Sequence, residues 1–387
     1  MPRLIVTSAS VLALLAACGS ASEGPAVVQN SVQAPITGER DPSPKPFDEI
    51  PVATFDRPWA MSFLPDGRML VTEKAGRMLL VSADGQQRRA VSGIPAAIDS
   101  EGQGGLLDVV PHPGFASNGL VYFSFSEPGP GGAGVALARG RLVADGSGAR
   151  LEGMRVIFRA APKVEGDGHY SGRIAFSPDG FLFFTAGERV KFNPAQDPKA
   201  TLGKVLRLKE DGTPAPGNPL AAKGFDPAIW SYGHRNLLGI AFDAEGRLWE
   251  QEMGPMGGDE LNLILPGRNY GYPIVSNGDH YDGRVIPDHP TRPEFEAPKV
   301  SWNPVISPAG LIIYSGSLFP EWKGNAFVGG LSSMSLVRIE FNGIEAREAA
   351  RYDMGARIRE VEQGPDGAIW LLEDGPDGRL LKLTPKK

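Results

Sequence analysis

The sequence predicts an all-β protein with the architecture of a six-bladed β-propeller, and two observations support this. The chain has 387 residues with 50 glycines and 35 prolines but no low-complexity run, which favours short strands and turns over helices. Strand-turn-strand units recur six times, with turn glycines 52, 61, 66, 78 and 43 residues apart. Such spacings suit one four-stranded blade plus loops. A β-sandwich with irregular repeats explains them less well.

Each unit is expected to supply the inner strands of one blade. Four clear units span residues 61–72, 169–188, 239–249 and 361–370, and two weaker units span 106–123 and 311–328. The segment Glu49 to Phe55 precedes the first unit, and we expect it to add the outer strand of the last blade, closing the ring without an open edge. The one place predicted to hold a short turn of helix is Asp197 to Gly203.

The N-terminus has the features of a secretory signal, with Arg3 followed by an apolar run. Residues 1–17 are therefore predicted to be removed, residues 18–48 to form a flexible linker, and residues 49–387 to form the propeller domain. The segment Leu15-Ala16-Ala17-Cys18 resembles a bacterial lipobox and holds the only cysteine, so Cys18 is the predicted lipidation site. A signal peptide with an incidental cysteine is the alternative. We expect a lipid-anchored protein of the bacterial cell envelope, on the periplasmic side of the outer membrane, or a periplasmic protein.

Charge and hydrophobicity restrict the kinds of partner. The formal net charge is −6, and removal of residues 1–17 leaves 38 basic and 45 acidic side chains, a net charge of −7. No cluster of Lys and Arg resembles a surface that follows phosphates, so nucleic acid is a poor candidate. After the signal, no apolar run approaches the ~20 residues that span a bilayer. The expected ligand is a small molecule, and the expected membrane attachment is the lipid alone.

A hairpin at residues 169–188 carries the first catalytic hypothesis. The Ser-Pro-Asp-Gly sequence at 177–180 predicts a tight turn between two apolar strands. Such a hairpin brings its outer ends together, and those ends carry His169 and Glu188. An imidazole beside a carboxylate suits a proton-accepting histidine that is oriented by an acid. A solvated loop histidine beside an unrelated glutamate is the alternative.

Polar, glycine-rich clusters lie between the predicted blades, at residues 101–108, 230–236, 252–262 and 267–273. Glycine-rich loops expose backbone carbonyls, and with Glu260 nearby they offer the oxygen ligands that calcium prefers. In Arg357-Ile358-Arg359, two guanidiniums alternate onto one face of a strand, which suits the binding of carboxylates.

Five of these segments together resemble one protein family. They are Gly-Gln-Gly-Gly-Leu-Leu, His-x-Ser-Gly-Arg, Ser-Tyr-Gly-His-Arg-Asn, Gly-Pro-x-Gly-Gly-Asp-Glu and Arg-Ile-Arg, in this order. The chain is similar over about Phe55 to Thr384 to the soluble sugar dehydrogenases that depend on pyrroloquinoline quinone (PQQ), the glucose/sorbosone or aldose sugar dehydrogenase family. This resemblance implies a six-bladed propeller that oxidises an aldose to its lactone with PQQ and calcium, passing electrons to an acceptor that the sequence does not specify.

The resemblance also implies roles for individual residues. His169 would be the general base that removes the proton of the sugar C1 hydroxyl while hydride passes to PQQ, and Glu188 would support it. Arg235 would contact the cofactor and stabilise the charge that develops on its quinone oxygen. Asn236 and Gln103 would make further polar contacts to the cofactor.

The remaining implied roles concern cofactor and metal. The Gly254 and Pro255 carbonyls match ligands of the calcium that bridges PQQ to the protein, and Glu260 with the Tyr270 carbonyl matches a second calcium. Further matches are cofactor contacts, with Tyr281 and Trp302 as aromatic neighbours and Arg357 and Arg359 as the carboxylate clamp. Tyr281 and Trp302 could equally be core aromatics.

One position departs from the family. The family usually has a lysine in contact with the cofactor where Ser332 stands in this chain, so one cationic contact is expected to be missing unless Lys204, Lys323 or another nearby cation substitutes for it. We expect Arg235, Arg357, Arg359 and calcium still to hold enough PQQ for activity. This difference keeps open a propeller lipoprotein that binds carbohydrate or a protein partner without redox chemistry. A calcium-dependent sugar lactonase is a third, weaker hypothesis.

Overall fold

The computed structural model describes residues 41–145 and 148–386, together with Met1 and the strand at 36–37. The rest of the predicted signal segment, Cys18 and most of the linker lie outside the described residues. The chain divides into two units, 1–31 and 32–387, and all described strands belong to the second. Within the described residues, no helix is long and apolar enough to cross a bilayer.

The all-β prediction is confirmed, because strands form nearly all of the regular structure. In chain order the strands are β1 Ile36–Thr37, β2 Phe47–Phe55, β3 Pro58–Phe63, β4 Met69–Glu73, β5 Arg77–Val81, β6 Arg88–Ser92, β7 Leu106–Pro111, β8 Leu120–Gly129, β9 Gly132–Ala144, β10 Ala149–Arg159, β11 Ser171–Phe176, β12 Leu182–Ala186, β13 Lys204–Leu208, β14 Ile229–Tyr232, β15 Asn236–Phe242, β16 Leu248–Met253, β17 Met256–Gly257, β18 Asp259–Ile264, β19 Gly278–Asp279, β20 Val300–Asn303, β21 Pro308–Ile313, β22 Ala326–Gly330, β23 Ser335–Asn342, β24 Glu345–Asp353, β25 Ile358–Gln363, β26 Ile369–Glu373 and β27 Gly378–Pro385.

Helices are short and few among the described residues. One α-helical turn spans Phe115–Asn118, and 3-10 turns span Asn193–Ala195, Ala221–Lys223, His289–Thr291 and Pro320–Trp322. The prediction of a helical turn at Asp197 to Gly203 is wrong, since that segment has no helix. Pro194 starts the 3-10 turn upstream, and the Asp197 side chain then accepts the Lys199 N–H at 2.8 Å. This local side-chain hydrogen bond favours a turn over a continuing helix.

The main sheets are built from sets of four strands. Three sheets have four strands each, in the orders β11-β12-β13-β14, β21-β22-β23-β24 and β2-β27-β26-β25. An eight-stranded sheet consists of β3-β4-β5-β6 and β10-β9-β8-β7, joined by a short parallel pairing of β6 with β10. A five-stranded sheet has the order β1-β20-β18-β16-β15. Each of the six predicted hairpins therefore forms the first two strands of such a set.

The first strands of these sets contact one another in a cycle. Within the described residues, β3 contacts β7, β7 contacts β11, β11 contacts β15, β15 contacts β21, β21 contacts β25, and β25 contacts β3 again. These inner strands are largely buried, and so are the second strands, such as β12, which is buried along its whole length. Apolar side chains between neighbouring sets form the hydrophobic clusters of the core.

Strand β2 closes the last sheet, as predicted. β2 pairs antiparallel with β27, from Phe47 opposite Pro385 to Phe55 opposite Gly378. Contacts with the domain extend before its predicted start at residue 49, because Phe47 is buried and the Ser43 N–H donates to the Arg351 carbonyl at 2.7 Å. The two residues of β1 also pair with β20, so the predicted linker is not entirely free of the domain.

Candidate active site

A cavity of about 410 Å³ is lined by residues of the inner strands β3, β11, β15 and β25 and of the loops next to them. Four of the residues singled out by the sequence line it, namely Gln103, Asn236, Arg357 and Arg359. The other lining residues are Arg57, Pro58, Trp59, Lys74, Gly102, Tyr170, Ser171, Leu238, Met253, Ser307, Leu331, Asp374 and Gly375. The volume lies in the range of small-molecule sites.

His169 and Glu188 form a close pair, and neither of them is among the residues that line the large cavity. The His169 Nδ1 lies 2.5 Å from a Glu188 carboxylate oxygen. Because a carboxylate only accepts hydrogen bonds, Nδ1 carries the proton and Nε2 presents a lone pair. Nε2 has no hydrogen-bond partner among the described residues, and His169 is 7% exposed. The next two residues, Tyr170 and Ser171, line the cavity.

The hairpin places the pair in this position. β11 and β12 pair with Ser171 opposite Ala186, and the turn between them closes with the Gly180 N–H donating to the Ser177 carbonyl at 2.9 Å. Gly187, just before Glu188, lies so close that an added Cβ would stand 2.1 Å from the His169 carbonyl oxygen. Only glycine therefore allows the two ends of the hairpin to approach this closely.

Glu188 is held in place by backbone amides. Its two carboxylate oxygens accept the N–H groups of Val190, Lys191 and Phe192 at 3.0, 2.6 and 2.6 Å. Burial acts to raise the pKa of Glu188, but the hydrogen bond from His169 and that from the Phe192 amide keep it below its ordinary value. Glu188 is therefore a fixed carboxylate. The segment that wraps it is strained, with positive φ at Arg189, Val190 and Phe192.

His169 is neutral at neutral pH. Burial lowers its pKa below the ordinary histidine value, the hydrogen bond to Glu188 opposes this in part, and the positive charge of Arg235 lowers the pKa again. The backbone of His169 also has a positive φ of 49°, and its N–H donates to the Gln103 Oε1 at 2.8 Å. The ring is thus fixed as a free base beside an anchored acid, which is the arrangement of a general base.

Arg235 lies beside this pair and faces several carbonyls. Its Nη1 donates to the Gly254 and Met253 carbonyls at 2.6 and 3.0 Å, and its backbone N–H donates to Glu252. The side chain is buried, and Nε has no hydrogen-bond partner within the described part of the chain. A buried donor without a partner is costly and rare, and it marks a position where a ligand acceptor would be stabilised.

Arg357 and Arg359 lie side by side at the cavity, as predicted for a pair on one strand face. Their guanidiniums share one carboxylate, with Arg357 Nε 2.9 Å from Asp374 Oδ2 and Arg359 Nε 3.1 Å from Asp374 Oδ1. Two positive charges thus share one negative charge, and a net positive charge remains at this wall. Asp374 was not identified from the sequence.

A second, very small cavity of about 10 Å³ brings the predicted metal ligands together. Gly254, Pro255, Glu260 and Tyr270 all line it, together with Arg235 and Glu252. The Asp259 carboxylate accepts the Gly254 N–H at 2.9 Å and the N–H groups of Ile306 and Ser307 at 2.8 and 2.7 Å, and so fixes this turn.

Buried carboxylates surround the predicted ligand Glu260, and the sequence did not indicate Glu250 or a ligand role for Glu252. Glu250, Glu252 and Glu260 all lie within 3.4 Å of the Asn262 amide nitrogen. His234 has ligand atoms close enough to those of Glu250 and Glu252 for a shared cation. Burial, with the nearby charges of Glu252 and Glu260, raises the pKa of Glu250 well above its ordinary value. Strand alternation could have signalled this cluster, since Glu250, Glu252, Glu260 and Asn262 occupy alternate positions of β16 and β18.

The two predicted aromatic contacts differ in their surroundings. Tyr281 is 73% exposed, and its ring centre lies 5.7 Å from the Arg235 guanidinium carbon. Trp302 is fully buried in the cluster with Trp249, and its indole N–H donates to Glu348 at 2.6 Å. Trp302 therefore has the surroundings of a core aromatic, the alternative that the sequence left open, and it does not line the large cavity. Successive side chains of a strand point to opposite faces, and the position of Trp302 on β20 directs its ring to the core.

Ser332 follows Leu331, which lines the large cavity, and its hydroxyl donates to the Val305 carbonyl at 3.3 Å. Lys204 does not replace the missing cation, because its Nζ donates to the carbonyls of Pro194, Ala195 and Leu202 inside the protein. Burial lowers the pKa of Lys204 to about 7. Lys323 is exposed at the end of a 3-10 turn and does not line the cavity either.

Comparisons with known proteins give consistent results. The family described as Glucose / Sorbosone dehydrogenase matches residues 55–382. The chain is 38% identical to the aldose sugar dehydrogenase YliI of Escherichia coli (strain K12) over 341 residues, 86% of this chain and 91% of that protein. It is 29% identical to quinoprotein glucose dehydrogenase B of Acinetobacter calcoaceticus over 322 residues, 76% and 66% of the two chains. The PQQ-bound aldose sugar dehydrogenase of Streptomyces coelicolor superposes with a TM-score of 0.71 at 30% identity, covering 89% of this chain and 99% of that one.

Proposed function

Because the chain belongs to the glucose/sorbosone dehydrogenase family and is a sugar dehydrogenase, we propose that it oxidises an aldose at C1 to the lactone, with PQQ as cofactor and His169 as general base. The observation that carries this proposal is the His169–Glu188 pair. One ring nitrogen is held by an anchored carboxylate, and the other has no partner among the described residues. A calcium-dependent lactonase would not need the positively charged cavity, so the cavity favours the dehydrogenase over the lactonase.

His169 Nε2 would take the proton of the C1 hydroxyl. The positive charge that forms on the ring would be stabilised through Nδ1 by Glu188, whose own position is fixed by three backbone amides. The hydride acceptor for C1 is supplied by PQQ when it is bound. Loss of the hydroxyl proton and of a hydride from C1 leaves a C=O double bond, which is the lactone carbonyl.

The large cavity suits this cofactor. PQQ carries three carboxyl groups, and the lining contains Arg57, Lys74, Arg357 and Arg359 against the single carboxylate of Asp374. Charge-assisted hydrogen bonds from guanidiniums to carboxylates are among the strongest in proteins. Arg357 and Arg359 would hold carboxylates, and further polar contacts would come from Gln103, Asn236 and the exposed ring of Tyr281.

Arg235 would contact the quinone end of the cofactor. Its unpartnered Nε supports this role, since a ligand oxygen there would satisfy a buried donor. A guanidinium fixed before the reaction stabilises negative charge that develops on an oxygen, without the cost of reorganising solvent. The same positive charge lowers the pKa of His169, so Arg235 also helps to keep the base unprotonated.

Calcium is proposed at the small cavity beside Arg235. The Gly254 and Pro255 carbonyls with the Glu252 and Glu260 carboxylates form an oxygen-rich wall, the donor set that calcium prefers. The Gly254 carbonyl now accepts a hydrogen bond from Arg235, so calcium at this oxygen would compete with the guanidinium. The Tyr270 carbonyl and Glu260 are proposed as ligands of a second calcium.

The fold is a β-propeller, and we propose that its sets of four strands are six blades. The cyclic contacts of the inner strands and the pairing of β2 with β27 support this count. The cavity would then lie at one end of the ring, with its walls formed by loops from several blades.

The test is reconstitution of the purified protein with PQQ and calcium, followed by dye reduction with a panel of aldoses. We expect sugar-dependent reduction that requires PQQ and stops when calcium is chelated, with the lactone as product. Samples with PQQ alone and calcium alone are the controls. If no aldose gives a PQQ-dependent signal, the non-redox binding protein becomes the better hypothesis.

Attachment to the envelope through Cys18 is proposed from the lipobox. Cys18→Ala should move an otherwise folded protein from the membrane fraction to the soluble fraction, because no other attachment is expected. Fractionation with immunoblotting measures this directly. Membrane association that persists in Cys18→Ala would contradict the lipid anchor. Gly19 rather than Asp follows the cysteine and supports the outer membrane as the destination.

A further inference from the structure

Lys74 is a cation at the large cavity that the sequence analysis did not single out. It follows β4 directly, is half-buried, and lines the cavity together with Gly102 and Gln103. Its Nζ donates to the Gly102 carbonyl at 2.5 Å. It forms no ion pair with any described residue, so a neutral carbonyl is the partner of its positive charge.

The charges of the cavity wall are unequally balanced. The lining holds four cations, Arg57, Lys74, Arg357 and Arg359, and one anion, Asp374, a net charge of +3 from these five residues. Asp374 contacts both Arg357 and Arg359, and Arg57 lies 3.9 Å from Asp56 at an exposed position. Within the described part of the chain, Lys74 is the lining cation for which no ion pair is formed. An anionic ligand would therefore gain most from contact with Lys74.

Lys74 also packs against the segment 102–105, which includes a residue that binds the His169 backbone. Gly105 lies against it, since an added Cβ there would stand 2.7 Å from Lys74 Cγ. In the same segment, the Gln103 side chain accepts the His169 backbone N–H at 2.8 Å. An ammonium group has three protons, so Lys74 can keep its bond to the Gly102 carbonyl and donate to a carboxylate as well.

We propose that Lys74 binds a carboxylate of the cofactor and supplies the cationic contact that Ser332 does not provide. The proposal rests on the proposed PQQ-dependent function. Lys204 cannot take this role because three carbonyls occupy its ammonium group, and Lys323 lies away from the cavity. Lys74 combines a position on the cavity wall with an unpaired charge.

The test is equilibrium dialysis of the apo protein against PQQ at fixed calcium, which measures bound cofactor without turnover. Lys74→Gln keeps a donor for the Gly102 carbonyl but removes the charge. Loss of a charge-assisted hydrogen bond of about 1.5–3 kcal/mol should weaken PQQ binding by roughly tenfold to a hundredfold. Lys74→Arg should restore most of the affinity, and Lys323→Gln, which removes an exposed lysine away from the cavity, should bind like the wild type.

Three further measurements separate the effect of the Lys74 charge from an effect on loop structure. The dissociation constant of the wild type should rise more steeply with salt than that of Lys74→Gln, because one ionic contact is screened. Ser332→Lys should tighten binding in the wild type, and it should recover affinity when combined with Lys74→Gln. Thermal unfolding of apo Lys74→Gln within about 2 °C of the wild type would show that the loop is intact.

The outcomes distinguish this inference from the proposed function. If the wild type binds PQQ and Lys74→Gln binds it equally well, the role of Lys74 is wrong and the proposed function stands. If Lys74→Gln binds weakly and Lys74→Arg does not restore binding, the effect comes from the loop and the role is again wrong. If the wild type binds no PQQ, both the inference and the proposed function fail.

Discussion

Two histidine–glutamate pairs lie next to each other in this protein, and only one of them is arranged for proton transfer. His169 Nδ1 is bound to Glu188 at 2.5 Å and its Nε2 has no partner among the described residues. His234 Nδ1 lies 3.1 Å from Glu252, but its Nε2 is hydrogen-bonded to Ser231 at 2.8 Å and its ring stacks on Tyr270. His169 is 7% exposed and His234 is fully buried.

The comparison shows that a carboxylate partner alone does not make a histidine a base. Both motifs, His-x-Ser-Gly-Arg and Ser-Tyr-Gly-His-Arg-Asn, place a histidine near an acid. The difference lies in the second ring nitrogen, because a nitrogen already occupied by a hydroxyl cannot accept a substrate proton. His234 instead contacts Glu252, which also accepts the Arg235 backbone N–H, whereas His169 keeps one ring nitrogen without a partner among the described residues.

The largest effect is expected for His169→Ala. Turnover should fall by roughly a hundredfold or more, the range for removal of a positioned base, and bound PQQ and calcium should be retained. Steady-state kinetics with the best aldose, corrected for cofactor occupancy by dialysis, measures this. Near-normal turnover would remove His169 from the mechanism.

His234→Ala is the paired variant and should mainly lower stability. It leaves the buried Glu252 and Ser231 side chains without their partner, which should cost about 1–3 kcal/mol in the free energy of unfolding. Urea unfolding of the apo protein measures this, with His169→Ala as the reference. A His234→Ala turnover loss as large as that of His169→Ala, at equal folded fraction, would contradict the division between the two pairs.

Glu188→Gln tests the carboxylate partner of His169, and we expect an effect of intermediate size. The amide can still meet the ring, but it cannot stabilise the imidazolium by charge. We expect turnover to fall by about tenfold to a hundredfold, the equivalent of a hydrogen bond to a charged group. The change should appear in kcat at saturating sugar, since Glu188 does not line the cavity. A change confined to KM would indicate a substrate-binding role instead.

The smallest expected effect concerns the pH profile. Burial lowers the pKa of His169, so the acidic limb of kcat/KM should lie below the ordinary histidine pKa of 6.5. Glu188 raises this pKa and Arg235 lowers it, so Glu188→Gln should shift the limb to lower pH and Arg235→Gln to higher pH. Stopped-flow assays at several pH values measure these opposite shifts. Shifts in the same direction would show that another group titrates.

Much of the fold could be predicted because each hairpin is determined by residues that are close together in the sequence. Each predicted hairpin is a pair of apolar strands around a turn, and a turn such as that at Gly180 fixes register within a few residues. The His169–Glu188 pair could be predicted for the same reason, since one hairpin joins both residues. The helical turn at 197–203 failed because the Asp197 side chain competes with backbone hydrogen bonding.

The rest of the site depends on contacts between distant parts of the chain. In the sequence, Asp374 looks like any charged residue that follows a strand. Its role as the shared partner of Arg357 and Arg359 is seen only in the structure, where the end of β26 lies beside them. Lys74 follows β4, and its partner Gly102 lies 28 residues later, in the segment between β6 and β7. Trp302 was placed near the cofactor by resemblance, but strand parity turns its ring into the core.

The pairing of β2 with β27 has a consequence for how the protein is made. The first long strand of the chain finds its partner in the last described strand. The closing sheet forms only after both strands have been made, and such long-range pairing is slow. Closure of the ring is therefore a late step in folding, and a chain without β27 would leave β2 without its partner.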